Sequence, residues 1–301
     1  MQQFTIPSSL DRARVDETLH VLDPAISRRA ARTLADLGGV AAGGVRRSAS
    51  ARVRAGSSLA FCKEYISISL ELGLPVFFEN NDLLIISKPP GLAVHGGPLI
   101  KDSVVARLRK LGAGSGLVSR LDREASGLLM IGKNAPSLRE YAAQTESGLI
   151  QKEYWAIASG TIKTDSLTID FPLRVLDEPM GNLPKTIVDY ENGDPALTNV
   201  KVVARVKDFT FVSVRIATGR THQIRAHLAA AGFPLVGDAR YGNPEVNRIA
   251  RETYGAARTM LHCRKLEFRG MPPETSQELT AEITTITAWT EPDFDRIAPQ
   301  N

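Results

Sequence analysis

Six apolar runs, at 83–86, 128–131, 154–158, 200–206, 209–216 and 281–287, constrain this chain more than any other feature. Each has the length of a strand rather than of a helix. In the run FTFVSVRI, Val212, Val214 and Ile216 share one face, while Phe209, Phe211, Ser213 and Arg215 share the other. Stretches with helical periodicity between the runs are few, chiefly 103–111 and 222–231. That ratio predicts an α+β fold with a mixed, largely antiparallel sheet rather than a doubly wound parallel one.

At 301 residues the chain can bury a large core, and its 43% hydrophobic and 23% charged residues describe an ordinary globular protein. The N-terminus lacks the apolar run of a signal peptide and no later stretch approaches a membrane span, so a cytoplasmic location without membrane contact is expected. Cys62 and Cys263 stand alone in sequence, which predicts packing roles and offers no metal knuckle or disulfide framework. GAGSG at 112–116 precedes a strand and opens no helix, so it reads as a loop and not as a phosphate cradle.

The net charge of +4 sits at one end. Residues 1–65 hold ten Lys and Arg against six Asp and Glu, and the 27 of each sign that remain cancel. Arg28, Arg29, Arg32, Arg46, Arg47, Arg52 and Arg54 crowd into 27–54 beside one acid, Asp36. A basic patch on a small segment attached to a neutral body is the electrostatic footprint of nucleic-acid binding, and equally of a solvated face. Ser27 can cap a helix over 28–37 with Gly38 as its stop, placing Arg28 and Arg32 on one face and Ala30, Leu34 and Leu37 on another. Short strands joined by glycine turns are predicted to follow. A boundary is expected between 64 and 75, dividing a module over 1–66 from a body over 67–301.

Two stretches carry chemistry. In SRLDREASGLLMIGKN, Asp122 lies between Arg120 and Arg123 at the lip of a strand, which suits either a surface ion pair or a nucleophile held ionised. In ATGRTHQIRAHLAAAGFPLVGDARYG, a short run carries Arg220, His222, Arg225 and His227, with Arg215 just upstream, and no acid among them. Thr221 can cap a helix starting at His222, with Ile224, Leu228 and Ala231 facing the core and Gly232 as the stop. Such a cluster calls for a phosphate and a carboxylate, and Asp122 is the candidate carboxylate. Lys88 precedes the rigid turn Pro89-Pro90-Gly91 and reads as structural, as do His20, His95 and His262.

These two stretches resemble the catalytic and C-terminal signature motifs of the RluA-type pseudouridine synthase family. NNDLLIISKPPGLAVHGG at 80–97 and QKEYWAIASG at 151–160 are similar to two further family elements, in the same order. Residues 14–56 resemble the α-L RNA-binding module, through Arg14-Val15-Asp16, Ser27-Arg28, Gly43-Gly44 and Arg54-Ala55-Gly56. The resemblance implies a catalytic domain of the pseudouridine synthase type behind a small α/β RNA-binding module. It implies that Asp122 is the catalytic aspartate, that Tyr154 packs on the target uracil, and that Arg225 pairs with the aspartate. Arg120 is expected to enter the RNA stack, with Arg28, Arg32, Arg46, Arg47, Arg220 and His222 contacting RNA. Ser119 departs from the family's usual His and removes an aromatic surface near the flipped nucleotide. The implied substrate is large-subunit ribosomal RNA, with tRNA as the alternative, acted on by a monomer. A non-catalytic RNA-binding or ribosome assembly factor of the same fold is the rival.

Physical chemistry agrees with that activity. The isomerisation moves a glycosidic bond from nitrogen to carbon on one ring, with no net redox change, so no cofactor or metal is expected. It needs a group that stays ionised near neutral pH, and an arginine beside an aspartate favours the charged form. The target base must leave its stack, and an aromatic platform supports a flipped base by roughly 1 to 3 kcal/mol.

Overall fold

The computed structural model describes residues 1–97, 100–112, 114–176, 185–270, 283–287 and 292–297. Its N-terminal part is a four-stranded antiparallel sheet in the order β1-β4-β2-β3, built from β1 (Gln2–Thr5), β2 (Val40–Ala42), β3 (Val45–Arg46) and β4 (Ser58–Phe61). Gly43 and Gly44, with φ of 60° and 76°, turn β2 into β3 as a two-residue hairpin loop that a side chain would strain. Two packed helices accompany this sheet, α1 (Val15–Leu22) and α2 (Arg28–Leu37). The Ser27 hydroxyl accepts from the Ala30 amide at 3.2 Å and Gly38 closes α2 in the left-handed region, as its sequence predicts. The buried stripe of α2 is Ala31, Leu34 and Ala35, whereas Ala30 and Leu37 are half-buried. The core face is therefore turned from the expected one, because a single stripe at i, i+3 and i+4 meets the neighbouring helix. Arg28, Arg29 and Arg32 stay exposed, and Arg46 and Arg47 are half-buried.

Helix α3 (Ile66–Leu72) packs on α2 and leads into the larger sheet. That sheet contains β5 (Val76–Glu79), β6 (Leu83–Lys88), β7 (Gly116–Leu117), β8 (Ser126–Gly132), β9 (Gln151–Ser159) and β10 (Ser166–Ile169). Beyond a separate hairpin of β11 (Leu173–Leu176) and β12 (Lys185–Val188), it continues with β13 (Thr198–Val206), β14 (Phe209–Ile216), β15 (Leu261–Arg269) and β16 (Ile283–Thr287). The order is β10-β13-β14-β9-β15-β8-β6-β5, with β7 on β8 and β16 on β15. The one parallel pair among the described strands is β8 with β15, so the sheet is mixed and largely antiparallel as expected. All six apolar runs lie in strands, apart from 281 and 282, which fall outside the described residues.

The sheet separates two apolar cores. Val212 and Val214 join the larger one, whereas Phe209 and Phe211 join Trp155 and Ile157 in the smaller one, so β14 divides its faces as its alternation predicts. The larger core runs without a break from Ile6 and Phe61 to Leu129 and Val212, across the expected boundary. Cys62 and Cys263 are buried free thiols. Among the described residues no helix is long and apolar enough to cross a membrane.

Four further helices frame the sheet: α4 (Val104–Leu108), α5 (Ala135–Glu146), α6 (Gln223–Ala230) and α7 (Pro244–Tyr254). A last one, α8 (Pro292–Ile297), buries Phe294 and Ile297 in the smaller core. Helices α5 and α7 are not anticipated by the apolar pattern. Both carry starting signals: Asn134 forms a reciprocal cap with Ser137 before α5, and Asn243 precedes Pro244 at the start of α7, accepting from the Glu245 amide at 2.9 Å.

Gly127 is the tightest point of the parallel pair. With φ at 108°, a Cβ there would stand 2.2 Å from the Cys263 carbonyl oxygen, which is backbone and cannot turn aside. Gly127→Ala combines left-handed strain with overpacking and should cost about 3 kcal/mol or more. Urea unfolding of the purified variant checks this, and a loss below about 1 kcal/mol would show that β8 and β15 can part without penalty.

Candidate active site

Asp122 lies in the loop between β7 and β8, and buried Lys88 fixes that loop from below. The Lys88 ammonium donates to the carbonyls of Pro89 at 2.9 Å, Leu92 at 3.0 Å and Arg123 at 3.0 Å. The Arg123 carbonyl also accepts from the Gly91 amide at 2.7 Å, so the Pro-Pro-Gly turn and the Asp122 loop form one unit. Burial pulls Lys88 down to about 7, against the raising influence of Glu124 and Asp122. Three accepting carbonyls favour the ammonium, because a neutral amine has only two protons to donate. The structural reading of Lys88 therefore holds.

Arg225 projects from α6 and is only 3% exposed. Its Nη1 donates to Asp122 Oδ2 at 3.1 Å and stands 3.5 Å from Glu124, which gives the expected pair. The planar fork, however, is directed elsewhere. Nε and Nη2 donate to the two oxygens of Asp238 at 2.6 and 2.9 Å, and Asp238 is fully buried. Burial opposes the charge of Arg225, and the hydrogen bonds and charges of Asp238 and Asp122 together more than offset it, so the guanidinium is raised above its ordinary value. Burial likewise works against the Asp238 carboxylate, which Arg225 and the amides of Arg240 and Tyr241 hold below the usual range. The Tyr241 ring lies 5.2 Å from the guanidinium centre. Asp238 and Tyr241 were both within reach of the sequence, in VGDARYG, yet nothing local marks that aspartate as the partner of an arginine thirteen residues earlier.

A cavity of about 260 Å³ opens beside Asp122, lined also by Tyr154, Ser119, Arg120, Arg220 and His222. Tyr154, on β9, is buried, and burial first, then Cys263 and Asp122, push its phenol well above the ordinary value. It therefore stays protonated at neutral pH and offers the cavity a ring and a neutral hydroxyl. Arg120 is exposed and donates to the Thr221 hydroxyl at 2.9 Å. Arg220 pairs with Asp194 at 3.3 Å. Arg28 and Arg32 lie on α2, Arg46 on β3 and Arg47 just after it, and none of them lines this cavity.

The start of α6 departs from expectation. Thr221 does not cap it, because its hydroxyl serves Arg120 and its carbonyl accepts from Thr186 at 2.7 Å. His222 is the residue before the helix and takes φ of 53°, a strained conformation for a side chain of this size. The Gln223 side chain accepts from the Arg220 amide at 3.1 Å and braces the turn instead. Tyr241 Oη accepts from the Thr186 amide at 2.8 Å and lies 3.0 Å from His222 Nδ1. The neutral imidazole meets the phenol in either tautomer, with Tyr241 donating to Nδ1 or accepting from it. Burial lowers the His222 pKa, in keeping with that neutral form.

Other members of the basic cluster are structural. Arg215 pairs with Glu153 at 3.1 Å, and buried His227 bonds to the Thr198 hydroxyl and the Phe171 carbonyl at 2.9 and 2.8 Å. His20 Nδ1 lies 2.7 Å from the Ile26 carbonyl, and His262 Nδ1 lies 2.9 Å from the Ser126 hydroxyl. His95 is exposed, contrary to its structural reading, although Val94 before it joins the larger core. Among the described residues no group of three His, Cys, Asp or Glu side chains could hold a metal ion.

Breaking a buried ion pair from one side typically costs about 3 to 5 kcal/mol, so Asp238→Asn should lower stability by that order while keeping the shape of the side chain. Denaturant unfolding reads the loss directly, and a change within about 1 kcal/mol would mean that Asp122 and Glu124 alone can neutralise Arg225.

Comparison with known proteins bears on this geometry. Residues 82–230 match the RNA pseudouridylate synthase family. A ribosomal large subunit pseudouridine synthase C of Vibrio vulnificus (strain CMCP6) is 33% identical over 212 residues, 69% of this chain and 65% of that protein. Its namesake in Pasteurella multocida (strain Pm70) is 31% identical over 244 residues, 78% of this chain and 72% of that protein. The chain thus spans a little under two thirds of the length of the Vibrio vulnificus relative. The solved structure of human RNA pseudouridylate synthase domain containing 1 superposes with a TM-score of 0.57 at 25% identity, covering 71% of this chain and 82% of that one. With three of the four sequence elements lining one cavity and the fourth clasped to the Asp122 loop through Lys88, these matches place the chain in the RNA pseudouridylate synthase family.

Proposed function

We propose that the protein isomerises uridine to pseudouridine in RNA, with Asp122 as the catalytic carboxylate. The observation that carries this reading is the Asp122–Arg225 pair, 3.1 Å apart at the wall of a cavity that Tyr154 also lines. In the reaction the bond from uracil N1 to the ribose breaks, a bond from C5 to the same ribose carbon forms, C5 loses a proton and N1 gains one. Asp122 supplies negative charge at the electron-poor centre, whether that is sugar or ring. Arg225 aims it, and the protonated Tyr154 supports the flipped base. A cavity of about 260 Å³ holds a nucleobase, and the seated base with the RNA backbone across the opening limits water, which favours recombination over hydrolysis.

The exposed guanidinium of Arg120, at the mouth of the cavity, is positioned to enter the stack the base has left. Arg220 and His222 flank the same opening. Residues 1–66 form the RNA-binding module in this reading, with Arg28, Arg32, Arg46 and Arg47 meeting phosphates. The names of the Vibrio and Pasteurella relatives support large-subunit ribosomal RNA as the substrate. The protein acts there as a cytoplasmic monomer.

Asp122→Asn keeps the side chain's shape and removes its charge. The expected outcome is loss of single-turnover isomerisation with RNA affinity within about tenfold of wild type. Retention of more than about a few per cent of the wild-type rate would remove Asp122 from the chemistry.

A further inference from the structure

Lys152 stands two residues before Tyr154 on β9, on the same face of the strand, and lines the same cavity. It also lines a second cavity of about 700 Å³ that shares Thr145, Ile216, Gly219 and Arg220 with the first. The two spaces adjoin, and Lys152 lines both. The cations around it are already engaged: Arg215 by Glu153, Arg220 by Asp194, and Arg120 by the Thr221 hydroxyl. Among the described residues Lys152 has no carboxylate within ion-pair distance and no hydrogen-bond acceptor. The exposed Glu146 lines the second cavity without pairing with it. Burial lowers the Lys152 pKa, and its one electrostatic neighbour, Cys263, gives it no anion, because burial pushes that thiol up to about 12.

The Lys152 ammonium reaches the two cavities with no protein anion to neutralise it, which leaves it free to meet a ligand's charge. We propose that Lys152 binds the backbone phosphate directly flanking the target uridine, where the RNA strand passes from the first cavity into the second. This deepens the proposed function and rests on it, since it takes the first cavity as the seat of the flipped base. A phosphodiester fits the position better than a base carbonyl, because it brings the full negative charge that the protein leaves out and must leave the base cavity along the backbone.

The test uses the full chain and a short RNA with one target uridine, in which single phosphodiesters flanking that uridine are replaced by neutral methylphosphonates. Binding is read by fluorescence anisotropy with the Asp122→Asn variant, so that conversion does not intervene. One flanking methylphosphonate should weaken binding about tenfold, as should Lys152→Met with the unmodified RNA. The two changes together should cost no more than either alone, Lys152→Arg should recover most of the affinity, and Lys152→Met should reduce the salt slope by about 0.7. Unchanged binding by Lys152→Met, or losses that multiply, would overturn the proposal. If Lys152→Met fails to fold, the methylphosphonate scan with Lys152 intact decides, and insensitivity at both flanks overturns it. Pseudouridine formation by wild type on the unmodified RNA tests the activity separately, so failure of one reading is not confused with failure of the other.

Discussion

One guanidinium holds this site together. A buried arginine must be neutralised, and Arg225 directs two N–H groups at Asp238 and a third at Asp122. An exposed pair such as Arg248 with Glu245 is screened by solvent and contributes little, whereas severing a buried pair costs about 3 to 5 kcal/mol. The Asp238 contact therefore dictates where the guanidinium plane lies. With that plane fixed, Nη1 can point in one direction, and Asp122 occupies it. The geometry separates anchoring from aiming: Asp238 neutralises the buried charge and Asp122 keeps a partly open edge, with its side chain 21% exposed.

The remainder of the fold serves that arrangement from two sides. On one side, the parallel contact of β8 with β15 and the Lys88 clasp on the Arg123 carbonyl set the height of the Asp122 loop. On the other, α6 is wedged against β12 and β13, so that Gln223 through Leu228 are all buried. Tyr241 joins the two parts of the second side by meeting Thr186 on β12, the His222 ring and the Arg225 guanidinium. A loop clasped by Lys88 carries Asp122 and a buried helix carries Arg225, so both members of the pair are held as an accurate constellation requires.

Much of this was legible in the sequence where a signal is local. The alternation in 209–216 separates two cores because side chains in a strand alternate by backbone geometry alone. Strand β15 escaped the apolar pattern although it lies in the middle of the sheet. A register shift between Cys263 and Lys265 breaks its alternation, leaving Leu261, Cys263, Leu266 and Phe268 buried at irregular spacing. Helix α6 reads as having one apolar face, yet it is covered on nearly every side, and its polar residues are taken up by partners distant in sequence. The pairing of Asp122 with Arg225 was legible through motif resemblance. The stronger pairing with Asp238 was not, since it depends on a turn that brings 238 back under α6.

Arg225→Lys tests the shared guanidinium most directly, because lysine keeps the charge but has no fork with which to hold one carboxylate while aiming another. The measurement is single-turnover pseudouridine formation alongside denaturant unfolding of the same protein. The lysine variant is expected to fold, with its ammonium drawn to buried Asp238, and to lose about a hundredfold or more in rate as Asp122 loses its guide. A folded lysine variant working within about threefold of wild type would contradict the account, since the aim of Asp122 would then not depend on the geometry of Arg225.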